Sequence, residues 1–180
     1  MGVIKLKMYQ VDAFASAVFG GNPAAVCILE DWIAEETMQR IAEENNLAET
    51  AYAVYNNGVY DIRWFTPEEE VDLCGHATLA TSYVLFNHET KHLREATQNN
   101  ALQLHSHRSG PLSVIKKGDD LYELNFPVDD LKPSDFNLSQ TEVLVGCKAI
   151  KAIEGKTDLM LIYENEAQIR SLQPNFFEID

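Results

Sequence analysis

The sequence predicts an α+β protein built from two related units, and three observations support this prediction. Runs in which apolar and polar residues alternate, a pattern typical of β-strands, recur along most of the chain. One predicted helix, at about residues 75–87, is apolar on nearly every side. A weak two-fold repeat gives each half of the chain a long alternating opening, a hairpin and a helix. The 180 residues are enough for two small domains with a substantial core.

The first part of the chain predicts two strands and a helix. Residues 1–10 alternate between apolar and polar side chains and indicate a strand, and residues 25–29 indicate a second one. Asp31 is the predicted N-cap of the helix that follows, because acidic residues fill its first turn. This helix is expected to end near residues 45–46.

A hairpin and a buried helix come next. Asn56-Asn57-Gly58 joins two strand-like runs, residues 50–55 and 59–65, and favours a tight turn between them. The helix at about residues 75–87 lacks a polar face, so we expect protein to surround it. The remainder of the chain predicts five strands, a surface loop and a short helix capped by Asn165: strands over 101–107, 111–117, 121–126, 147–153 and 159–163, and the loop over 129–139.

Charge and composition argue against several classes of function. The chain carries 14 Lys and Arg against 28 Asp and Glu, a formal net charge of −14, and it has no basic cluster. Nucleic acids and anionic membrane surfaces are therefore not expected as partners. No run approaches the roughly 18 apolar residues that a membrane span needs, and the opening does not resemble a signal peptide. Three cysteines without metal-ligand spacing fit a reducing, cytoplasmic location.

The segment Leu73-Cys74-Gly75-His76-Ala77-Thr78 is the first candidate site, because a loop enters the buried helix there. The unpaired N–H groups of a helix's first turn attract an anion, and Gly75 would let a ligand approach the backbone closely. A substrate carboxylate would suit this position. The alternative is a helix that begins at a glycine beside a histidine with only a structural role.

Glu49 is the second candidate, as a carboxylate in the apolar sequence around Leu47, Ala48 and Ala51. Such a setting suits general acid/base work near neutral pH. The alternative is a solvent-facing glutamate at a loop tip, and spacing alone does not decide between the two.

Neither a metal nor a cofactor is predicted. Two histidine pairs, His88 with His92 and His105 with His107, have no carboxylate or cysteine at close spacing to complete a metal site. The Gly20-Gly21 loop lacks the glycine pattern of nucleotide-binding loops and indicates a tight turn. No G-x-S-x-G elbow is present.

Taken together, five motifs in the first 80 residues resemble the PhzF-like family of phenazine-biosynthesis isomerases and their relatives. The resemblance continues more loosely through residues 121–127 and 169–174. The motifs are Val11-Asp12-Ala13-Phe14, Phe19-Gly20-Gly21-Asn22-Pro23-Ala24-Ala25-Val26, Asn46-Leu47-Ala48-Glu49-Thr50, Ile62-Arg63-Trp64-Phe65-Thr66-Pro67 and Asp72-Leu73-Cys74-Gly75-His76-Ala77-Thr78-Leu79-Ala80.

This resemblance implies the diaminopimelate-epimerase-like fold, in which two similar domains each curl a mixed sheet around a central helix. Residues 1–115 would form the first domain and residues 116–180 part of the second. The active site would lie between the domains. The implied chemistry is cofactor-free proton transfer on a small carboxylate substrate, by an isomerase or epimerase. Glu49 matches the family's catalytic acid/base, while Gly75 and His76 match positions that bind the substrate.

Two departures from the family pattern leave alternatives open. The Asp-Pro-Val-Thr-Gly-Ser type motif of the second domain is not found, so we expect a fragment, a split protein or a degenerate relative. Such a chain is expected to be inactive alone, and to form a homodimer or bind a chain that supplies the missing segment.

The second departure concerns Cys74, which occupies the place of the catalytic thiol in related proline racemases and diaminopimelate epimerases. The N-terminus of a helix is expected to lower the pKa of the Cys74 thiol, and a thiol of low pKa would allow a cysteine-based racemase. A non-catalytic binding fragment of the same fold is the third alternative.

Overall fold

The computed structural model describes residues 5–17 and 19–179, so residues 1–4 of the first predicted strand lie outside the described part. The chain forms two compact units, Met1–Pro127 and Val128–Asp180. This division differs from the predicted boundary at residue 115. The reason is that residues 110–125 form two antiparallel strands that complete the sheet of the first unit.

The first unit contains, among the residues that the structure describes, nine strands, two α-helices and one short 3-10 helix. In chain order they are Met8–Ala13 (β1), Asn22–Leu29 (β2), Glu35–Asn45 (α1), Glu49–Asn56 (β3), Val59–Phe65 (β4), Glu70–Val71 (β5), Gly75–Asn87 (α2), the 3-10 helix Thr90–His92, Thr97–Gln98 (β6), Ala101–Ser106 (β7), Gly110–Lys116 (β8) and Tyr122–Asn125 (β9).

One mixed sheet curls around helix α2. The strand order is β1-β2-β3-β4-β7-β8-β9, with β5 paired to β4 and β6 paired to β7. The pairs β2–β3 and β4–β7 are parallel, and the other pairs are antiparallel. Helix α2 packs against β1, β2 and β3 and also against β9, at the other end of the strand path. A single helix contacts both ends only if the sheet curls around it, which makes α2 the central helix, as predicted.

The core explains why α2 needs no polar face. Its buried residues are small or aliphatic, and three buried hydroxyl groups donate to carbonyl groups within the helix region. Thr78 donates to the carbonyl of Cys74, Thr81 to that of Ala77, and Ser82 to that of Thr78. Because these hydroxyl groups form their hydrogen bonds with nearby backbone carbonyls, burial of the helix does not leave them without partners.

The predicted hairpin is confirmed, whereas the predicted start of α1 is wrong. Asn57 and Gly58 have φ of 48° and 94°, the left-handed pair that a two-residue type I′ turn requires. Helix α1 begins at Glu35 with Ala34 at the N-cap position, so Asp31 does not cap it. Two residues between Asp31 and the helix make tertiary contacts instead. Trp32 lies against the guanidinium of Arg63, and Ile33 packs on a core cluster.

The second unit is smaller and less buried. Its described elements are Lys132–Pro133 (β10), Gln140–Val145 (α3), Lys151–Glu154 (β11), Leu159–Ile162 (β12), Glu166–Arg170 (α4) and Phe176–Ile179 (α5), with an antiparallel sheet in the order β10-β11-β12. Asn165 caps α4 as predicted, since its side chain accepts a hydrogen bond of 3.0 Å from the backbone N–H of Gln168. Helices α3 and α5 were not predicted.

A large share of the apolar side chains in the second unit is exposed. Strand β12 is an edge strand, and its residues Leu159 and Met160 are 40% and 44% exposed. The other large exposed apolar residues of this unit are Val128, Leu131, Val143, Ile150, Ile169, Phe176, Phe177 and Ile179. In the part of the chain that the structure describes, no helix is both long and apolar enough to cross a bilayer.

Candidate active site

Glu49 is positioned by the end of helix α1 and the start of strand β3. Asn46 ends the helix in a left-handed conformation, with φ of 49°, and its N–H bonds the carbonyl of Ala42. The side chain of Asn45 donates to the hydroxyl of Thr50 over 3.0 Å and ties the turn to the new strand. Glu49 is thereby the first residue of β3, opposite Ala24 in the parallel strand β2.

Helix α2 brings its N-terminus to the same region, because it packs against β2 and β3. Cys74 is the N-cap residue with an extended backbone, and no side chain caps the helix there. The N–H of Thr78 bonds the carbonyl of Cys74 and closes the first turn. The backbone N–H groups of Gly75, His76 and Ala77 have no carbonyl partner within the helix, which favours a negative charge at this end.

The side chains of Glu49 and His76 meet at this point. The Oε2 of Glu49 and the Nε2 of His76 lie 3.0 Å apart, and the two side chains are 18% and 10% exposed. The ring is not aligned for a hydrogen bond across this distance, and neither atom has another hydrogen-bond partner among the described residues. Buried polar atoms are rarely left without partners, so both atoms are available to a third group. Glu49 and His76, which the sequence offered as separate candidates, therefore lie side by side.

Cys74 adds a thiol to the same group. Its Sγ lies 3.4 Å from the Nδ1 of His76, and the residue is 7% exposed. Burial raises the pKa of the Cys74 thiol to about 12; the negative charge of Glu49 adds to the rise, while the backbone N–H groups of Ala77 and His76 oppose it. The expectation of a lowered pKa for Cys74 is therefore wrong, because desolvation outweighs the helix N-terminus.

Glu49, Cys74 and His76 are also, within the described residues, the one group of three potential metal ligands. Their arrangement places the imidazole between the other two groups, with Nδ1 towards the sulfur and Nε2 towards the carboxylate. One ligand atom of each residue lies within 4.8 Å of the other two, but the closest contacts of the sulfur and the carboxylate are to different ring nitrogens. The geometry fits a chain of proton donors and acceptors better than a chelate.

The other histidines are engaged elsewhere. His88 and His92 stack on two different tyrosines, Tyr9 and Tyr55, with ring centroids 5.4 Å and 4.1 Å apart. His105 lies 3.2 Å from Asp61, and His107 lies 3.8 Å from a different carboxylate, that of Glu70. The members of each pair thus face separate partners.

The Gly20-Gly21 loop is a tight turn, as predicted. Gly21 has φ of 81°, and a Cβ atom there would collide with the carbonyl of Ala13. Glycine is required at this position by the backbone itself. The requirement is independent of any ligand.

Comparison with known proteins assigns the chain to a family. A family model described as phenazine biosynthesis-like protein matches residues 11–180. The chain belongs to this family. An uncharacterised isomerase of Pseudomonas aeruginosa is 43% identical over 176 residues, which cover 96% of this chain and 63% of the relative. A phenazine biosynthesis-like domain-containing protein of Homo sapiens is 39% identical over 142 residues, or 74% of this chain and 46% of that protein.

Solved structures of PhzF family proteins share the fold. The Enterococcus faecalis protein superposes with a TM-score of 0.81 at 43% identity, covering 97% of this chain and 63% of the other. A predicted epimerase of Pseudomonas aeruginosa has a TM-score of 0.66 at 16% identity, over 94% of this chain and 63% of that one. The predicted α+β, epimerase-like fold is thereby confirmed. The chain spans less than two thirds of the length of these relatives: 63% of each of the two structures, 63% of the Pseudomonas aeruginosa isomerase and 46% of the human protein.

Proposed function

We propose that this PhzF family chain carries one side of the active site of an isomerase that works by proton transfer without a cofactor. Its substrate would be a small molecule with a carboxylate group. The observation that carries the proposal is the buried contact between Glu49 and His76, whose facing atoms lie 3.0 Å apart and have no hydrogen-bond partner. The names of relatives in this family, several of which are called isomerases, support the same class of reaction.

Each group would have a separate role. The carboxylate of Glu49 would remove a proton from a carbon next to the substrate carboxylate and return it to the same or another carbon. The substrate carboxylate would bind the N–H groups at the start of α2, near Gly75. His76 would donate to a substrate oxygen and stabilise the enolate-like charge that develops when the proton leaves.

Burial favours Glu49 over Cys74 as the base. A cysteine racemase needs a thiolate, and the pKa of the Cys74 thiol is raised to about 12. The alternative base, the carboxylate of Glu49, needs no thiolate. The thiol alternative nevertheless makes a distinct prediction that the same experiment decides.

The experiment follows the exchange of a substrate C–H proton with solvent deuterium. The Pseudomonas aeruginosa relative that is 43% identical contains a segment without a counterpart in this chain. Co-expression of this chain with that segment gives what we call the completed protein. Small carboxylic acids with an acidic C–H bond are incubated with it in heavy water, and deuterium uptake is measured by NMR or mass spectrometry.

Glu49→Gln should abolish the exchange in the completed protein, because it keeps the shape and removes the base. A loss of roughly 10²-fold or more is expected for a general base. Glu44→Gln, on the exposed face of α1, is the matched control and should exchange at the wild-type rate. Cys74→Ala should retain measurable exchange. An inactive Cys74→Ala with an active Glu49→Gln would assign the protein to the cysteine racemases instead.

A further inference from the structure

The Cys74 thiol has no part in the proposed reaction, although it lies beside both residues that do. Its sulfur is 3.4 Å from the Nδ1 of His76, and the other ring nitrogen of His76 is 3.0 Å from Glu49. The three side chains are mostly buried, with 7% of Cys74 exposed. A buried thiol at a ring nitrogen can decide which nitrogen carries the proton.

We propose that Cys74 is a positioning residue for His76. Its S–H donates to Nδ1, and this places the single ring proton of neutral His76 on Nε2, beside the carboxylate of Glu49. The meaning of this arrangement for catalysis rests on the proposed function, but the tautomer itself does not.

The direction of the hydrogen bond follows from the surroundings of the sulfur. Burial and the charge of Glu49 keep the thiol protonated, so it has a hydrogen atom to donate. The backbone N–H groups of Ala77 and His76 also act on the sulfur, and these groups can only donate. These N–H groups cannot accept, and the one side-chain hydrogen bond that the sulfur forms among the described residues is with the Nδ1 of His76, at 3.4 Å, so the thiol hydrogen is assigned to Nδ1.

The contact at the other end of the ring agrees with this direction. If the ring proton were on Nδ1, the bare Nε2 and the carboxylate oxygen of Glu49 would be two acceptors 3.0 Å apart. Two acceptors at that distance, largely excluded from water, repel each other. With the proton on Nε2, the ring has an N–H beside the carboxylate that can donate to a third group, such as a substrate oxygen.

Nitrogen NMR of the chain labelled in its histidine rings tests this directly. The His76 signals are assigned by their loss in His76→Asn, and the spectra are recorded at a pH where the ring is neutral. We expect wild-type His76 as one tautomer, with Nε2 protonated and Nδ1 bare. In Cys74→Ala the Nδ1-protonated form should rise by about two- to tenfold, the effect of one lost hydrogen bond. Cys74→Ser should restore the wild-type pattern, because a hydroxyl also donates.

The matched control is Cys27→Ala, which removes a buried thiol from a different core cluster and should leave the His76 tautomer unchanged. The proposal is overturned if wild-type His76 carries its proton on Nδ1. It is equally overturned if Cys74→Ala leaves the tautomer ratio unchanged or if Cys74→Ser fails to restore it. These spectra need no catalysis, so a failed exchange experiment and a failed tautomer experiment are distinguishable.

Discussion

Gly75 opens the helix that carries His76, yet the fold does not require glycine there. Its φ is not in the left-handed region, and a Cβ atom at this position would lie 3.7 Å from the ring of Phe126, an ordinary contact. This differs from Gly21, where the backbone excludes any side chain. If glycine matters at position 75, the reason is the access of a ligand to the backbone N–H groups.

Gly75→Ala should therefore weaken carboxylate binding without harming the fold. The unfolding temperature should stay within about 4 °C of the wild type, since a shift of that size corresponds to a change near 1 kcal/mol or less. Binding of a small carboxylate to the completed protein should weaken at least about tenfold, because the methyl group occupies the approach to the first turn. Calorimetry measures both quantities. Unchanged binding would show that the ligand does not approach Gly75.

Cysteine reactivity gives a second prediction at the level of single residues. Burial raises the pKa of Cys27 to about 11 and that of Cys74 to about 12, whereas Cys147 is partly exposed. At pH 8, iodoacetamide should modify Cys147 first and leave the other two thiols protected until urea unfolds the chain. Mass spectrometry of digested protein assigns the label. Modification of Cys74 as rapid as that of Cys147 would contradict the buried, protonated thiol.

The sequence motifs named Glu49, Cys74 and His76 as candidates but did not show how their side chains contact one another. Glu49 and His76 are 27 residues apart, and only the parallel pairing of β2 with β3 and the packing of α2 bring them together. The pKa of Cys74 was predicted in the wrong direction because its helix position is visible in the sequence and its burial is not. The contact between Cys74 and His76 carries no sequence signal beyond their spacing.

At the level of elements, local signals determined how well each one could be predicted. The turn between β3 and β4 was predictable because Asn57-Gly58 favours left-handed backbone whatever its surroundings. The start of α1 depends on tertiary contacts of Trp32 and Ile33, which the sequence does not reveal. Helix α3 has only six residues, too few for a recognisable helical period.

One ion-pair group joins several elements of the first unit. Glu70 in β5 accepts two hydrogen bonds from Arg63 in β4, of 2.7 Å and 2.6 Å, and a third from Arg108 at 2.9 Å. Arg63 also reaches Glu35 at the start of α1. The side chain of Glu70 is 6% exposed. Burial acts to raise the pKa of Glu70, but the hydrogen bonds and charge of Arg63, with Arg108, bring it below its usual 4.5.

Glu70→Gln should destabilise the first unit by about 3 kcal/mol at pH 7, because it leaves the partly buried Arg63 without its main partner. The pKa of Glu70 is lower in the folded than in the unfolded chain. Its stabilisation is thus present above about pH 4.5 and is lost as the pH falls further. The difference in the free energy of unfolding between wild type and Glu70→Gln should therefore become smaller towards pH 3. Urea unfolding followed by the fluorescence of Trp32 and Trp64 measures it.

The control for the loss of one negative charge is Glu68→Gln, at an exposed position just before strand β5. It should change the free energy of unfolding by less than about 0.5 kcal/mol at either pH. If the difference in the free energy of unfolding between Glu70→Gln and wild type stays constant from pH 7 to pH 3, the carboxylate charge of Glu70 is not what stabilises this ion-pair group.

At the scale of the whole molecule, the second unit is the smaller of the two, yet it carries more of the large exposed apolar side chains than the first. Its edge strand β12 presents Leu159 and Met160, and Phe177 of α5 is 98% exposed. Relatives carry further residues outside the matched region, since the match covers 63% of the Pseudomonas aeruginosa protein. We expect a polypeptide equivalent to that segment to cover this surface and pair with the free edge of β12.

Sedimentation velocity checks this expectation. The chain should form a complex when that segment is supplied, and a charged residue on the edge, as in Met160→Lys, should weaken the complex at least about tenfold. The control is Lys132→Glu on β10, the opposite edge strand, where the residue is exposed and the change should have little effect. A homodimer of this chain is the other arrangement that covers the surface. A stable monomer that binds nothing would contradict the expectation.

In the proposed reaction, Glu49 faces the reacting carbon of a substrate whose carboxylate binds the start of helix α2. The most direct measurement is affinity labelling of the completed protein with a small carboxylate that carries an epoxide next to the reacting carbon. We predict an ester on Glu49, found by mass spectrometry, absent in Glu49→Gln and slowed by an unreactive carboxylate of the same skeleton. A thioether on Cys74, or esters spread over the exposed carboxylates, would contradict the claim.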